Sequence, residues 1–308
     1  MSSLTIHMGT APPVGYFIAP GGSDSTGTGT IGNPWRTLGR FYSVATAGDT
    51  LYCRGGTYAD TDLVYVDALD GTVGSPITAR NYPGETPVFT GPATDGGAIQ
   101  FRQGSSHHVI DGLQFASWTS MGSTGVIWIG DGSVDTGPLT IRNCKFTASV
   151  GWTDHAHPVY ISGHAVGVTV EYCVMIGPEA GTYGAGAGVQ AYNASVGPTG
   201  TVVDHCILDG FVWGTIVWGP GATATVTHNS YLNNYTNIDL RDHVATTVRD
   251  NAGENGTNAN IYDPTDSAFT TASYNFWGQT FDANYYLVAG QSGRSAASDG
   301  TDAGALDW

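Results

Sequence analysis

The residues best equipped for chemistry fall into a few groups. Asp154-His155-Ala156-His157 sets a carboxyl beside two imidazoles, and an imidazole titrates close enough to neutrality to serve as a general base. Glu179 follows in a Gly-rich stretch, and Asp239 and Arg241 stand two residues apart on a later apolar segment. Gln100, Arg102, Trp128, Tyr160, Gln190 and Tyr192 recur inside apolar phrases, where a polar or aromatic side chain must point away from the core. Hydrolysis of a glycosidic bond needs two carboxyls facing it, about 5–9.5 Å apart, and Asp154 with Glu179 or Asp209 with Asp239 could supply them. Aromatic faces such as Trp128 and Tyr160 suit the C–H surface of a sugar ring, with amides and carboxylates fixing its hydroxyls. The plainer reading has the histidines solvated in a loop and the aromatics packed under a neighbouring segment. His-x-His with one aspartate is a thin ligand set, so no metal is assigned to it.

What positions these residues is a repeat. Val109-Ile110-Asp111-Gly112-Leu113 returns as Thr140–Cys144, Thr169–Cys173, Val202–Cys206, Thr225–Asn229 and Thr247–Asn251. The anchors Ile110, Ile141, Val170, Val203, Val226 and Val248 are 31, 29, 33, 23 and 22 residues apart. A period of that length with a short strand in each copy marks a stacked solenoid. A second strand precedes each anchor, beginning at Ile99, Ile127, Val159, Val189, Ile216 and Ile238. Two strands per coil in constant order predict parallel sheets, with inward and outward rows separated by the period of two. Ile99/Phe101, Ile127/Ile129, Val159/Ile161, Val189/Ala191, Ile216/Trp218 and Ile238/Leu240 are expected inside. The outward rows are then Gln100, Trp128, Tyr160, Gln190, Val217, Asp239 and Arg102, Gly130, Ser162, Tyr192, Gly219, Arg241. On the other sheet Asp111, Arg142, Glu171, Asp204, Thr227 and Arg249 face out as cross-strand charge pairs. Cys144, Cys173 and Cys206 share one inward column with Leu113, Asn229 and Asn251, so they read as buried thiols and the asparagines as an amide ladder.

Composition narrows the partners. Ten Lys and Arg stand against 26 Asp and Glu, a formal charge of −16, which repels nucleic-acid phosphate and anionic membranes. No apolar run reaches the ~18 residues of a membrane span, and Met1–Gly15 has neither the basic region nor the apolar core of a secretory signal. Residues 1–15 read as an extended arm, 16–58 as an entry strand with a capping helix from Asn33 to about Ala47, 59–254 as the coils and 255–308 as a closing segment that loses the repeat. Trp35, Leu38, Phe41, Tyr42 and Ala45 give that helix one apolar face.

The opening from Tyr16 to Tyr58, with Gly22-Ser23-Asp24, Asn33-Pro34-Trp35-Arg36-Thr37-Leu38 and Gly48-Asp49-Thr50, resembles the opening of right-handed parallel β-helix proteins of the pectate-lyase-like superfamily. Pro76–Glu85 resembles the coil that follows there, and Asp302-Ala303-Gly304-Ala305 their closing segment. The resemblance implies an all-β, single-stranded right-handed parallel β-helix with an N-terminal capping helix. It leaves activity open, since the architecture carries lyases, hydrolases, epimerases, adhesins and phage tail parts. The hydrolase signatures Gly-His-Gly and Arg-x-Lys are missing. Lys145, the only lysine, meets Val174 in the next coil where calcium-free lyases pair Lys with Arg. Asp204-His205-Cys206 resembles a lyase phrase without its Arg-x-Pro-x-x-Arg partner. No motif indicates a cofactor or calcium. The resulting expectation is a virion- or surface-associated protein, in a virion or extracellular, that recognises a polysaccharide through the aromatic groove. It would contact other virion proteins through the arm and assemble as a homotrimer. The alternative is a polysaccharide-degrading enzyme on the same groove, a hydrolase before a lyase.

Overall fold

The computed structural model describes residues 12–59, 62–91, 96–118, 125–130, 133–148, 157–178, 186–264, 270–281, 285, 287 and 297–298. The repeat phrases form rungs of a parallel β-helix in which each central coil contributes three strands rather than the two expected; they stack on three faces, called here the first, second and third sheets, of which the first two join into one 16-stranded sheet through the long strands of the last coils. The first sheet stacks Val64–Asp67, Ile99–Arg102, Gly125–Ile129, His157–Ile161 and Ala187–Tyr192, then the leading halves of Trp213–Thr227 and Thr236–Arg249, then Ala259–Tyr262. The second runs from Tyr16–Ile18 through Thr50–Cys53, Ile77–Asn81, His108–Asp111, Leu139–Arg142, Val168–Glu171 and Thr201–Asp204 to the trailing halves of the two long strands and Thr270–Ser273. The third, from Gly56–Tyr58 to Phe276–Trp277, follows the second after a bend of two residues in the central coils. That spacing is too tight for the repeat pattern to separate the two strands.

The bend has a backbone cause. Gly112, Asn143, Tyr172, His205, His228, Asp250 and Tyr274 occupy the same place in successive coils, all with φ between 50° and 70°. This left-handed conformation turns the chain, and side chains larger than Asn or Asp adopt it only where their surroundings hold them. The next residue points inward. Cys144, Cys173 and Cys206 are buried free thiols whose Sγ atoms donate to the carbonyls of Arg142, Glu171 and Asp204. In the last coils the column changes to Asn229, Asn251 and Asn275, joined by amide hydrogen bonds of 3.1 and 2.9 Å.

The third sheet fills the interior with a ladder of rings. Tyr58 stacks on Phe89 at 4.5 Å, Phe89 on Phe115 at 5.7 Å and Phe115 on Phe146 at 5.1 Å. Burying each such ring is worth roughly 1.5–3 kcal/mol, so the ladder is a large share of what holds the first coils together. The cap is shorter than expected, because Trp35 bonds to Phe17 and Ala19 as a strand neighbour. The helix is only Leu38–Tyr42, capped by the Thr37 hydroxyl, with the Asp24 carboxylate accepting from the amides of Arg36 and Thr37. Asn33 is therefore not its N-cap, although Leu38, Phe41 and Tyr42 do cover the open end of the core. At the other end the repeat outlasts Asn255. Ala259–Tyr262, Thr270–Ser273 and Phe276–Trp277 make a further coil. No helix among the described residues is long and apolar enough to cross a membrane.

Candidate functional site

The outward face of the first sheet carries two rows. One reads Tyr65, Gln100, Trp128, Tyr160, Gln190, Ile216, Asp239 and Tyr262; the other reads Asp67, Arg102, Gly130, Ser162, Tyr192, Trp218 and Arg241. This corrects one coil by a residue. Thr215 and Val217 point inward, so Ile216 replaces Val217 outside and Trp218 replaces Gly219. The cause is a polar core contact, since the Thr215 hydroxyl lies 2.9 Å from the Tyr231 hydroxyl in a fully buried pair. That bond lets a polar residue take the inward place, and the more apolar Ile216 and Trp218 face out.

Trp218 completes a column absent from the sequence-derived rows. Tyr192 lies 4.7 Å from Trp218, and the Arg241 guanidinium sits 5.1 Å from the Trp218 ring and 5.3 Å from that of Tyr262. The Trp218 indole N–H donates to Asp242 at 3.1 Å. Further along, Trp128 and Tyr160 are 5.8 Å apart. The Trp128 indole nitrogen is buried without a hydrogen-bond partner among the described residues. Burial pushes the Tyr160 phenol up, opposed by its bond with Ser162. At the amino end Arg102 lies over the exposed Tyr65 ring at 3.9 Å. There a cleft of about 910 Å³ opens between the capping helix and Val64–Asp67, taking in Tyr65 and Asp67.

Among the described residues both cations in these rows, Arg102 and Arg241, are matched. Arg102 is bonded to Asp67, and Arg241 grips Asp239 through Nε and Nη2 at 2.7 and 2.6 Å. The hydrogen bond to Asp239 raises the Arg241 guanidinium further above its ordinary value. Asp239 is 2% exposed, so the structure makes it the counter-ion of Arg241 rather than a free acid. Gln100 is also covered, and it donates to the Gly130 carbonyl at 3.4 Å. Gln190, Tyr192, Trp128 and Tyr160 stay half-buried, as contact residues of a shallow groove would.

Of the loop candidates, Asp154, His155 and Glu179 lie outside the described residues. His157 opens the strand His157–Ile161 instead of sitting in a loop. It is buried, and its Nδ1 accepts the Ala187 amide at 2.9 Å, which ties two rungs together. Asp209 is on the third sheet, bonded to Asn233 and Tyr285, so it does not share a face with Asp239.

A second polar cluster forms at the bend after the second sheet. Each oxygen of Asp204 faces one imidazole, His205 Nδ1 at 2.9 Å and His228 Nδ1 at 3.1 Å, while Thr227 donates to it at 2.7 Å. Burial would raise this carboxyl, but the two imidazoles and the hydroxyl outweigh it and hold Asp204 well below the usual carboxylate range. The three residues bring potential metal-ligand atoms within 4.8 Å of one another. The two rings, however, are stacked at 4.6 Å with planes 16° apart. A bound ion lies close to the plane of each imidazole it ligates, so these near-parallel rings suit a bridging carboxylate better than a shared ion.

The architecture is that of a right-handed parallel β-helix. The chain belongs to the family described as Pel9A-like, right handed beta helix region, whose model matches residues 16–196. Pectate lyase PEL9 of Emericella nidulans (strain FGSC A4 / ATCC 38163 / CBS 112.46 / NRRL 194 / M139) is 36% identical over 80 residues, which is 26% of this chain and 19% of that protein. The match thus spans about a fifth of the relative. Among solved structures, a rhamnogalacturonan lyase superposes with a TM-score of 0.56 at 16% identity, covering 84% of this chain and 87% of its own. The structure of pectate lyase Pel9A superposes with a TM-score of 0.50 at 12% identity, covering 95% and 96%. At these identities the likeness is one of fold.

Proposed function

We propose that this chain recognises polysaccharide on the outward face of its first sheet, as a virion-associated or cell-surface β-helix. The observation that carries the reading is the column Tyr192, Trp218, Arg241 and Tyr262, continued along the same sheet by Tyr160 and Trp128. Rings set at 4.7 and 5.8 Å along the rungs line the path of an extended chain of sugar rings, and Gln190 supplies an amide for their hydroxyls. Among the described residues of this face, the candidate acid and base Asp239 and Arg241 are paired with each other, which favours binding over bond cleavage. Membership of the Pel9A-like family supports a second reading, in which the same groove also cuts the bound chain.

The test is one panel of bacterial and plant polysaccharides. Retention in affinity electrophoresis is scored beside new reducing ends and unsaturated-uronate absorbance. Retention without products fits recognition. Reducing ends alone would establish a hydrolase, and both signals a lyase. A Trp218→Ala variant that binds every retained glycan as well as the parent would remove the groove from the account.

A further inference from the structure

The end of a parallel sheet leaves a row of backbone donors and acceptors to be covered. Where the second sheet begins, at Tyr16–Ile18, the cover is this chain's own. Phe17 donates to the Gly29 carbonyl and accepts from the Trp35 amide, and Ala19 donates to the Trp35 carbonyl. Where the first sheet begins, at Val64–Asp67, the pairing stops. Val64 and Ala68 donate to Ala98 and Arg102 on the following rung, so by the alternation of the ladder the amides and carbonyls of Tyr65 and Asp67 point the other way. Among the described residues no strand lies on that side. The strand is also open to the outside, with Tyr65 52% exposed and Asp67 exposed on either side of the buried Val66.

We infer that this edge takes an extended, basic polypeptide segment of a partner protein as one more strand, at the opposite end of the sheet from Trp218 and Arg241. The cleft of about 910 Å³ runs along Val64–Asp67, with the capping helix Leu38–Tyr42 as its facing wall. An edge strand opposite a helix suits strand addition, in which backbone bonds supply affinity and alternate side chains enter the pocket. The pocket floor is apolar, with Leu38, Tyr42, Val66 and Phe89 all buried and lining it. The Tyr42 hydroxyl adds a buried donor with no hydrogen-bond partner among the described residues. Charge selects the segment. Asp24, Asp62 and Asp67 line the cleft with Arg36, and Arg102 is held against Asp67, so acids still outnumber cations there. On a chain of net charge −16, lysines set between the apolar positions are drawn in and carboxylates are repelled.

The experiment titrates the full chain into a fluorescein-labelled octapeptide, Lys-Val-Thr-Val-Lys-Val-Thr-Val, and follows fluorescence anisotropy at low and high salt. Binding that salt weakens is expected, with the counterpart carrying Asp in place of Lys about tenfold weaker at low salt. An added strand turns every second amide toward Tyr65 and Asp67. N-methylation of one alternate set of peptide amides should therefore abolish binding, while methylation of the other set leaves it within about threefold, a readout that needs no change in the protein. On the protein side, proline is tolerated in an edge strand where the missing N–H faces outward. Tyr65→Pro should bind about tenfold more weakly than Tyr65→Ala, which loses the ring but keeps the amide, with thermal unfolding used to confirm that both variants are folded. Equal effects of the two methylation sets, or of the two folded variants, would overturn strand addition, as would binding of neither peptide. An Asp peptide bound as tightly as the Lys peptide would overturn the basic segment. A dimer that forms with rising concentration and is lost in Tyr65→Pro would make a second copy of this chain the occupant, and overturn the partner segment.

Discussion

Replacing Arg241 with Gln tests whether the first-sheet ion pair is what keeps a buried carboxylate tolerable. Asp239 is 2% exposed and receives both guanidinium bonds, while the Arg241 side chain is 33% exposed. Removing one partner of a buried pair costs about 3–5 kcal/mol, and the partial exposure of Arg241 places this case near the lower end. The guanidinium also lies over Trp218 and Tyr262, and two such contacts add about 1 kcal/mol at a partly exposed site. The expected loss at pH 7.5 is therefore about 4 kcal/mol, read as a fall in the urea midpoint at constant slope. Two controls make the reasoning refutable. A buried carboxylate stripped of its cation is relieved by taking up a proton, so the deficit of Arg241→Gln should shrink as the pH falls from 7.5 to 5. Asp239→Asn/Arg241→Gln should recover about half of the loss, because no buried charge remains. A deficit that is the same at both pH values, with no recovery in the double variant, would show that packing rather than charge compensation accounts for the effect.

Three further outcomes follow from the same structure. Asn251→Ala deletes an amide that accepts from the Asn229 backbone and side chain and donates to Val226 and Asn275; a loss of about 3 kcal/mol is expected in urea unfolding. Asp204 has its folded-state pKa depressed, so its contribution is complete above the ordinary value of about 3.9 and disappears as pH falls through the lower folded value. Asp204→Asn should accordingly lower stability at pH 7 and flatten the stability curve at acid pH, as measured by thermal unfolding across pH 2–7. Thr215→Val suits the apolar inward pattern but strips Tyr231 of its hydroxyl partner. It should destabilise by about 1–2 kcal/mol, with Thr215→Val/Tyr231→Phe closer to the parent than the single variant.

The solenoid was legible because its core residues alternate strictly and the alternation returns at a near-constant interval. Trp128, Tyr160, Gln190 and Tyr192 were found outward for the same reason, being polar or amphipathic between apolar neighbours. The reading slipped by one residue at Thr215–Trp218, where a hydroxyl pair inside and a Trp outside invert the usual polarity. Side-chain period fixes a face only while the inward residues are the apolar ones. His157 was misplaced through a related confusion. An imidazole beside His155 and Asp154 reads as loop chemistry, yet its nitrogen serves a backbone amide one rung away. The Asp204–His205–His228 cluster could not be assembled from sequence, since it depends on two bends 23 residues apart stacking their left-handed residues.

The inward chemistry changes along the stack in a way that bears on the outward face. In the early coils the interior is held by rings and aliphatic side chains, which tolerate small shifts of one rung over the next. In the last coils directional bonds take over. Asn229, Asn251 and Asn275 bond in series, Asn234 accepts from Phe211 and donates to Leu208, and Asn237 bonds to Glu254 and Asn260. Such ladders penalise any change of register, because each displaced amide leaves a buried donor or acceptor unpaired. A slip of one residue would turn Trp218 and Arg241 into the core and bring Thr215 and Val217 out. The coils with the most amide bonding inside are thus the ones that display Trp218, Arg241 and Tyr262 outside, and the registration of that aromatic column depends on it.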